Sequence, residues 1–223
     1  KVKAFKIGSG ECNNYPLVDY IASFRKPVII STGMNNINSI EKAIKILKNR
    51  KVQYAILHTT NLYPTKHSEV RLNALLELKK KFPNTVLGLS DHTADNYTSY
   101  AAIAMGASIV EKHFIDYSSR KGPDISASVN TKQMIELLKG IDAIHKAIPG
   151  GIKPIKREEK TANFAFASVV ANANLEKGEI LNEDNIWIRR PGNGDFSAEQ
   201  YYSLIGRKIK SKVKKNTQIK KIH

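Results

Sequence analysis

Four polar residues in two short stretches carry the first sign of chemistry. In Gly88-Leu-Ser-Asp-His-Thr93, Ser90 and His92 are two positions apart, and in Ala107-Ser-Ile-Val-Glu-Lys-His-Phe114 the same spacing separates Glu111 and His113. Each stretch reads as a short buried β-strand with a polar end, and residues two apart in a strand share a face. Neighbouring parallel strands lie about 4.8 Å apart. If these two are neighbours with their C-terminal ends level, two imidazoles meet above a serine and a carboxylate. Imidazole is the commonest metal ligand. Two nitrogens with further positions left open suit a catalytic divalent ion that keeps water or substrate.

A second group suits anions. Lys6 and Gly8 share a strand face, Ser9 stands at the exit of that strand, and Ser31 and Ser90 hold comparable places on other strands. One lysine among several hydroxyls matches a phosphate together with a carboxylate.

The elements that must position these residues alternate. Strands are expected at Ala4–Gly8, Pro27–Gly33, Tyr54–Thr60, Thr85–Ser90 and Ala107–His113. Between them run helices. One begins at Pro16. One is capped by Ser39 with Ile40, Ala43, Ile44 and Leu47 on one face. One has Leu72, Leu75, Leu76 and Lys79 at helical spacing, the lysine stem snorkelling at the edge. One is a small-residue helix from Tyr97 to Met105. A last helix, capped by Thr131, carries Met134, Leu137, Leu138, Ile141 and Ile144. Strands separated by such helices form a parallel sheet. Polar residues collect at the C-terminal end of every strand, the habit of a (β/α)8 TIM barrel rather than of a doubly wound sheet with one switch point. About five βα units are present where a closed barrel needs eight, so either the sheet is open or the sequence lacks the first part of its barrel.

The composition fits this reading. The chain has 223 residues, 41% of them hydrophobic, enough for one large core or a core with a small companion. A single cysteine, Cys12, excludes an internal disulfide and points to a reducing, cytoplasmic setting. No apolar run approaches the roughly 20 residues that span a membrane. The net charge of +16 invites nucleic-acid or anionic-substrate readings. The lysines spread over the chain with a local excess only near Lys208–Lys221, and no zinc-finger, KH or RRM signature accompanies them, so no nucleic-acid partner is expected. Pro149-Gly-Gly-Ile-Lys-Pro154 and the charged run Lys156–Lys160 read as a linker over 149–160, between a barrel part at 1–148 and a small, mostly β domain at 161–223. Phe164–Val170, Gly178–Leu181, Ile186–Arg189 and Ile209–Val213 are its β-like pieces.

The motifs taken together resemble a known family. Phe5-Lys-Ile-Gly-Ser-Gly-Glu-Cys-Asn-Asn14, Ser31-Thr-Gly-Met34, Thr60-Asn-Leu-Tyr-Pro64, Gly88-Leu-Ser-Asp-His-Thr93, Glu111-Lys-His-Phe114 and Gly122-Pro-Asp124 look like those of the sialic acid synthases and their legionaminic and pseudaminic relatives. Phe164-Ala-Phe-Ala-Ser168 and Arg189-Arg-Pro-Gly-Asn-Gly-Asp195 resemble the C-terminal antifreeze-like (SAF) domain of the same family. The resemblance implies three further βα units ahead of Lys1. It also implies condensation of phosphoenolpyruvate with the open-chain aldehyde of an N-acetylated sugar such as N-acetylmannosamine, the alternatives being a legionaminic or pseudaminic acid synthase that uses a diacetamido sugar, or a non-catalytic fragment acting as a binding module. C3 attacks the aldehyde, water adds at C2, and phosphate leaves with C–O cleavage. By similarity, Lys6, Ser9, Ser31 and Ser90 would hold phosphoenolpyruvate, and His92 and His113 manganese or magnesium. Glu11, Glu111 and Asp124 would be catalytic carboxylates, with Glu111 handling protons. Asn61, Tyr63, Thr161, Phe164 and Arg190 would contact the sugar. A domain-swapped homodimer, in which Arg190 enters the partner's site, completes the expectation.

Overall fold

A computed structural model of the chain describes residues 2–117 and 119–221. The chain divides into two compact units, Lys1–Pro149 and Gly150–His223.

The first unit alternates strand and helix: β1 (Phe5–Ile7), α1 (Tyr15–Ser23), β2 (Val28–Ser31), α2 (Ile37–Asn49), β3 (Tyr54–Thr59), α3 (His67–Val70), α4 (Asn73–Lys81), β4 (Val86–Asp91), α5 (Tyr97–Ala104), β5 (Ile109–Phe114), β6 (Ser128–Val129) and α6 (Thr131–Ala147). Its strands form one parallel sheet in the order β1-β2-β3-β4-β5-β6. Five strands were expected and six are present. The extra one has only two residues, too few for any hydrophobic period to reveal it.

The helices form because one face of each is apolar and their ends are capped. In α2, Ile40, Ala43, Ile44 and Leu47 are buried, and Asn36 Oδ1 accepts from the Ser39 N–H at 3.0 Å. The cap is therefore Asn36, not Ser39, because the helix begins two residues earlier than the first obvious hydroxyl. Likewise Asn130, not Thr131, caps α6, in a reciprocal pair with Gln133. In α4 the buried residues are Leu75 and Leu78, while Leu76 is half exposed and Lys79 exposed. The inward face is thus rotated from the one the leucine spacing suggested. The core lies between sheet and helices, around Ile7, Ile30, Ile44, Leu47 and Ile56 on one side and Leu75, Leu89 and Ala102 on the other.

The sheet is curled. Four strand spacings would set β1 and β5 roughly 19 Å apart in a flat sheet. Yet Lys6 Nζ on β1 lies 3.3 Å from Glu111 Oε1 on β5. Only an arc wrapped about an interior brings those side chains together. The unit is thus part of a TIM barrel, with helices on its outer side.

The second unit has its own core of Val169, Ala171, Leu175, Leu181, Ile186, Tyr201, Leu204, Ile209, Val213 and Ile219. It opens with a 3-10 turn at Lys156–Glu158 and α7 (Glu159–Ala165), continues through the antiparallel pair β7 (Ser168–Ala171) and β8 (Ile186–Arg189), and adds α8 (Tyr201–Leu204). Isolated bridges Leu175–Val213, Ile180–Lys208 and Val170–Gln218 tie the later segments in. The stretch from Phe164 was expected to be β-like; it ends α7 instead, and the strand starts at Ser168. Phe164 and Phe166 are both exposed, at 70% and 67%.

Candidate active site

The curled sheet gathers polar residues from four strands at one end of its inner face. Lys6 Nζ donates to Ser31 Oγ at 2.9 Å and faces Glu111 Oε1 at 3.3 Å. Ser90 Oγ donates to the same Oε1 at 2.8 Å. These contacts follow from register: Ser90 pairs with Glu111 across β4 and β5, and alternation turns both inward. Glu111 Oε1 therefore draws together an ammonium and a hydroxyl, the donors that an entering phosphate or carboxylate would use.

The two histidines stand beside this cluster, with ring centroids 5.1 Å apart and planes nearly perpendicular. His92 Nδ1 donates to the Thr60 carbonyl at 2.9 Å, which leaves the lone pair on Nε2. Ser90 Oγ is 3.4 Å from Nε2, but its proton is committed to Glu111. Burial holds the His92 pKa below the ordinary imidazole value and keeps the ring neutral. Tyr63 stacks on His92 at 4.2 Å and meets His113 edge-on at 5.4 Å. Burial raises the Tyr63 pKa, and the charges of Asp124 and Glu111 add to this, so its hydroxyl stays protonated at neutral pH. Asp124 Oδ2 lies 3.9 Å from His113 Nδ1.

This geometry fits a divalent ion. A centroid spacing near 5 Å is what two imidazoles need to share one ion at about 2.1 Å per bond. Among the described residues no group of three His, Cys, Asp or Glu converges as a closed ligand set.

Not every candidate joins the cluster. Ser9 is buried, and its Oγ accepts from the Gly33 N–H at 3.0 Å, leaving its own proton free to be donated. Asn61 Oδ1 is shielded from solvent and has no hydrogen-bond donor among the described residues. Glu11 is exposed on a 3-10 turn, accepting from Asn14 Nδ2 at 2.7 Å and, among the described residues, making no hydrogen bond to Lys6, Ser31 or Glu111. Thr161 and Phe164 lie on α7, and Arg190 is exposed after β8, all three in the second unit. The Arg190 loop is tightly seated. Ser168 Oγ accepts from Gly194 N at 2.9 Å and donates to the Pro191 carbonyl at 2.8 Å. A Cβ on Gly192 would lie 2.5 Å from Phe166 Cβ, so the loop packs closer than any side chain allows.

One network escaped the sequence reading. Asp91 and Lys112, on the outer faces of β4 and β5, form a buried ion pair at 3.1 Å, with side chains 0% and 1% exposed. Asp91 also accepts from Thr93 N, Thr98 Oγ1 and Ser99 Oγ. Lys112 Nζ donates to the carbonyls of Thr93 and Asp95 at 2.7 and 2.6 Å. Burial alone would raise the Asp91 pKa; Lys112 and these hydrogen bonds outweigh it and leave the carboxyl lowered. Burial lowers the Lys112 pKa, and Asp91 opposes that shift. The pair ties the loop that follows His92 to the strand that carries His113.

The curled (β/α) arc, with Lys6, Ser31, Ser90 and Glu111 gathered beside two facing imidazoles at one end, is part of a TIM barrel. Residues 1–153 match the NeuB family and residues 166–221 the SAF domain, and the chain belongs to the NeuB family. It is 41% identical over 210 residues to N,N'-diacetyllegionaminic acid synthase of Campylobacter jejuni, covering 92% of this chain and 62% of that protein. It is 30% identical to human N-acetylneuraminate-9-phosphate synthase, covering 93% of this chain and 58% of that protein. Among solved structures it resembles the N-acetylneuraminic acid synthetase of Leptospira borgpetersenii, with a TM-score of 0.68 and 30% identity, covering 72% of this chain and 56% of that one. The chain thus spans about three fifths of the length of the curated relatives it matches.

Proposed function

We propose that the protein is a nonulosonate synthase, joining phosphoenolpyruvate to the aldehyde of an N-acetylated hexose such as N-acetylmannosamine and releasing phosphate. The observation that carries this reading is the cluster of Lys6, Ser31, Ser90 and Glu111 beside the facing His92 and His113. It offers an anion-binding end and a metal-binding end within one site.

Lys6, Ser31 and Ser90 bind the phosphoenolpyruvate anion, whose oxygens accept from Lys6 and Ser90 in place of Glu111 Oε1. Ser9 adds its unused proton. Glu111, released from Lys6, accepts the proton of the water that adds at C2. His92, through Nε2, and His113 would hold manganese or magnesium. When bound, the ion polarises the aldehyde oxygen as a Lewis acid. Tyr63, whose hydroxyl stays protonated, Asn61, Asp124 and Glu11 orient the sugar and its open-chain intermediate. Thr161, Phe164 and Arg190 come from the second unit of a partner subunit in a domain-swapped homodimer. The exposed, rigidly seated Arg190 loop supports that role. Among the described residues no helix is long and apolar enough to cross a membrane. We place the reaction in the cytoplasm, in keeping with the one buried thiol.

A second reading concerns the sugar. The 41% identity to a legionaminic acid synthase supports a diacetamido substrate. A phosphate-release assay decides between them. The full-length protein is given phosphoenolpyruvate with N-acetylmannosamine, with its 2,4-diacetamido analogues or with the pseudaminic precursor, with and without chelator. Phosphate and a 2-keto acid should appear in equal amounts with one sugar and stop with chelator. Phosphate release without sugar, or none with any sugar, rejects the proposal.

A further inference from the structure

The residues that separate the functional ones along each strand are themselves a couple. Asp91 stands between Ser90 and His92, and Lys112 between Glu111 and His113. The register of β4 and β5 sets Asp91 opposite Lys112, as it sets Ser90 opposite Glu111. Alternation turns the first couple away from the site and the second into it. Asp91 and Lys112 therefore back the two strand ends that carry the imidazoles, and the roles proposed above do not use them.

Their bonding is saturated. An ammonium has three protons, and a carboxylate about four acceptor positions. Lys112 Nζ reaches Asp91 Oδ2 at 3.1 Å and the carbonyls of Thr93 and Asp95 at 2.7 and 2.6 Å. Asp91 Oδ1 accepts from Thr93 N at 2.9 Å, and Oδ2 accepts from Thr98 Oγ1 at 2.7 Å and Ser99 Oγ at 2.6 Å. Thr93 Oγ1 donates to the Asp95 carbonyl at 3.1 Å and closes the turn. Apart from Lys112, every further partner of Asp91 lies within residues 93–99. The network thus ties the turn after His92 together and clamps it, through Lys112, to β5.

His92 is consequently held from two directions. Its ring is fixed in front by the Nδ1–H bond to the Thr60 carbonyl at 2.9 Å. Behind it, the chain on either side, at Asp91 and Thr93, is bonded into the network. His113 follows Lys112 directly. One ion pair and its main-chain partners thereby bear on the 5.1 Å spacing of the two rings. Stability alone does not account for charges here, because apolar residues of similar volume in place of a buried ion pair are often neutral or stabilising. An apolar side chain, however, cannot bond the Thr93 and Asp95 carbonyls.

We infer that Asp91 and Lys112 are positioning residues, whose bonded network holds His92 and His113 at the spacing that a shared divalent ion requires. The inference rests on the metal role proposed for the two histidines.

Manganese(II) binding to the full-length protein tests this. It is read from the loss of the free ion's EPR signal, alongside denaturant unfolding of each variant without metal. Lys112→Met, and Asp91→Asn combined with Lys112→Met, should each weaken manganese binding roughly 10- to 100-fold. The double variant decides, because it strands no charge, and it keeps the test open if Lys112→Met alone folds poorly. In it the Thr93 and Asp95 carbonyls still lack their lysine donor, so it should regain stability without regaining affinity. A role confined to stability gives a different result, a folded double variant that binds manganese as tightly as the parent. That outcome overturns the positioning role and leaves the site reading standing, provided that His92→Ala and His113→Ala abolish binding. If those two variants bind as the parent does, or the parent binds no manganese, the metal role of the histidines falls and the inference with it.

Discussion

At the scale of single residues, Lys6 and Cys12 show how burial and partners decide what a group can do. Among the described residues, Lys6 is the one cation bonded into the Ser31, Ser90 and Glu111 cluster. Hydroxyls offer protons but no compensating charge, and a hydrogen bond to a charged group is worth about 1.5–3 kcal/mol. Lys6→Met should therefore raise the phosphoenolpyruvate concentration needed for half-maximal rate by roughly 10- to 150-fold. The sugar requirement should change much less. An unchanged phosphoenolpyruvate titration would remove Lys6 from the anion site. Cys12 makes the opposite case. It is fully buried in the core with Ile7 and Val18, and burial pushes its thiol pKa up to about 11. The thiolate is the reactive form. Native protein should thus resist iodoacetamide at neutral pH and take up one label once denatured, as mass spectrometry of the intact chain will read. Rapid labelling of the folded protein would contradict the burial.

At the scale of elements, the Asp91–Lys112 pair joins β4 and β5 behind the two histidines. Removing one partner of a buried pair strands the other charge, which costs about 3–5 kcal/mol. Lys112→Met should therefore lower the unfolding free energy by that order, and Asp91→Asn combined with Lys112→Met should recover part of the loss, as denaturant titration will show. A single variant as stable as the parent would mean that the pair is not buried as described. This pair also marks the limit of what the sequence disclosed. Strands were legible as short apolar runs, as in Val28–Ser31, and helices as apolar residues recurring at a period near 3.6, as in Ile40, Ala43, Ile44 and Leu47. Ser90 and Glu111, and His92 and His113, could be matched by the same alternation. Lys112 could not. A lysine on the outer face of a strand ordinarily lies in water, and its burial depends on the carbonyls of Thr93 and Asp95, which only the folded loop brings near. The Lys6–Glu111 contact was hidden for a similar reason, since it needs the sheet to curl and the strand pattern is the same in a flat one. The caps at Asn36 and Asn130 were missed because Ser39 and Thr131 are equally good capping types close by.

At the scale of the whole molecule, two units with separate cores pose a question of sharing. The first unit carries Asp124 beside His113. The second carries Arg190 on a loop fixed by Ser168 and by the close packing of Gly192, with its side chain exposed. If subunits exchange second units, as proposed, each site takes Asp124 from one chain and Arg190 from the other. Arg190→Ala and Asp124→Ala should each leave little activity alone. In a mixed dimer one site then carries both substitutions and the other carries neither. Co-expressing the two full-length variants with different tags, and purifying through both, isolates that heterodimer. Its condensation rate should approach half that of the parent dimer, as expected for one intact site of two. If each site instead draws both residues from its own chain, both sites of the heterodimer are damaged and the rate stays at the level of the single variants. A purified heterodimer with no recovery would return Arg190 to its own chain or remove it from the site.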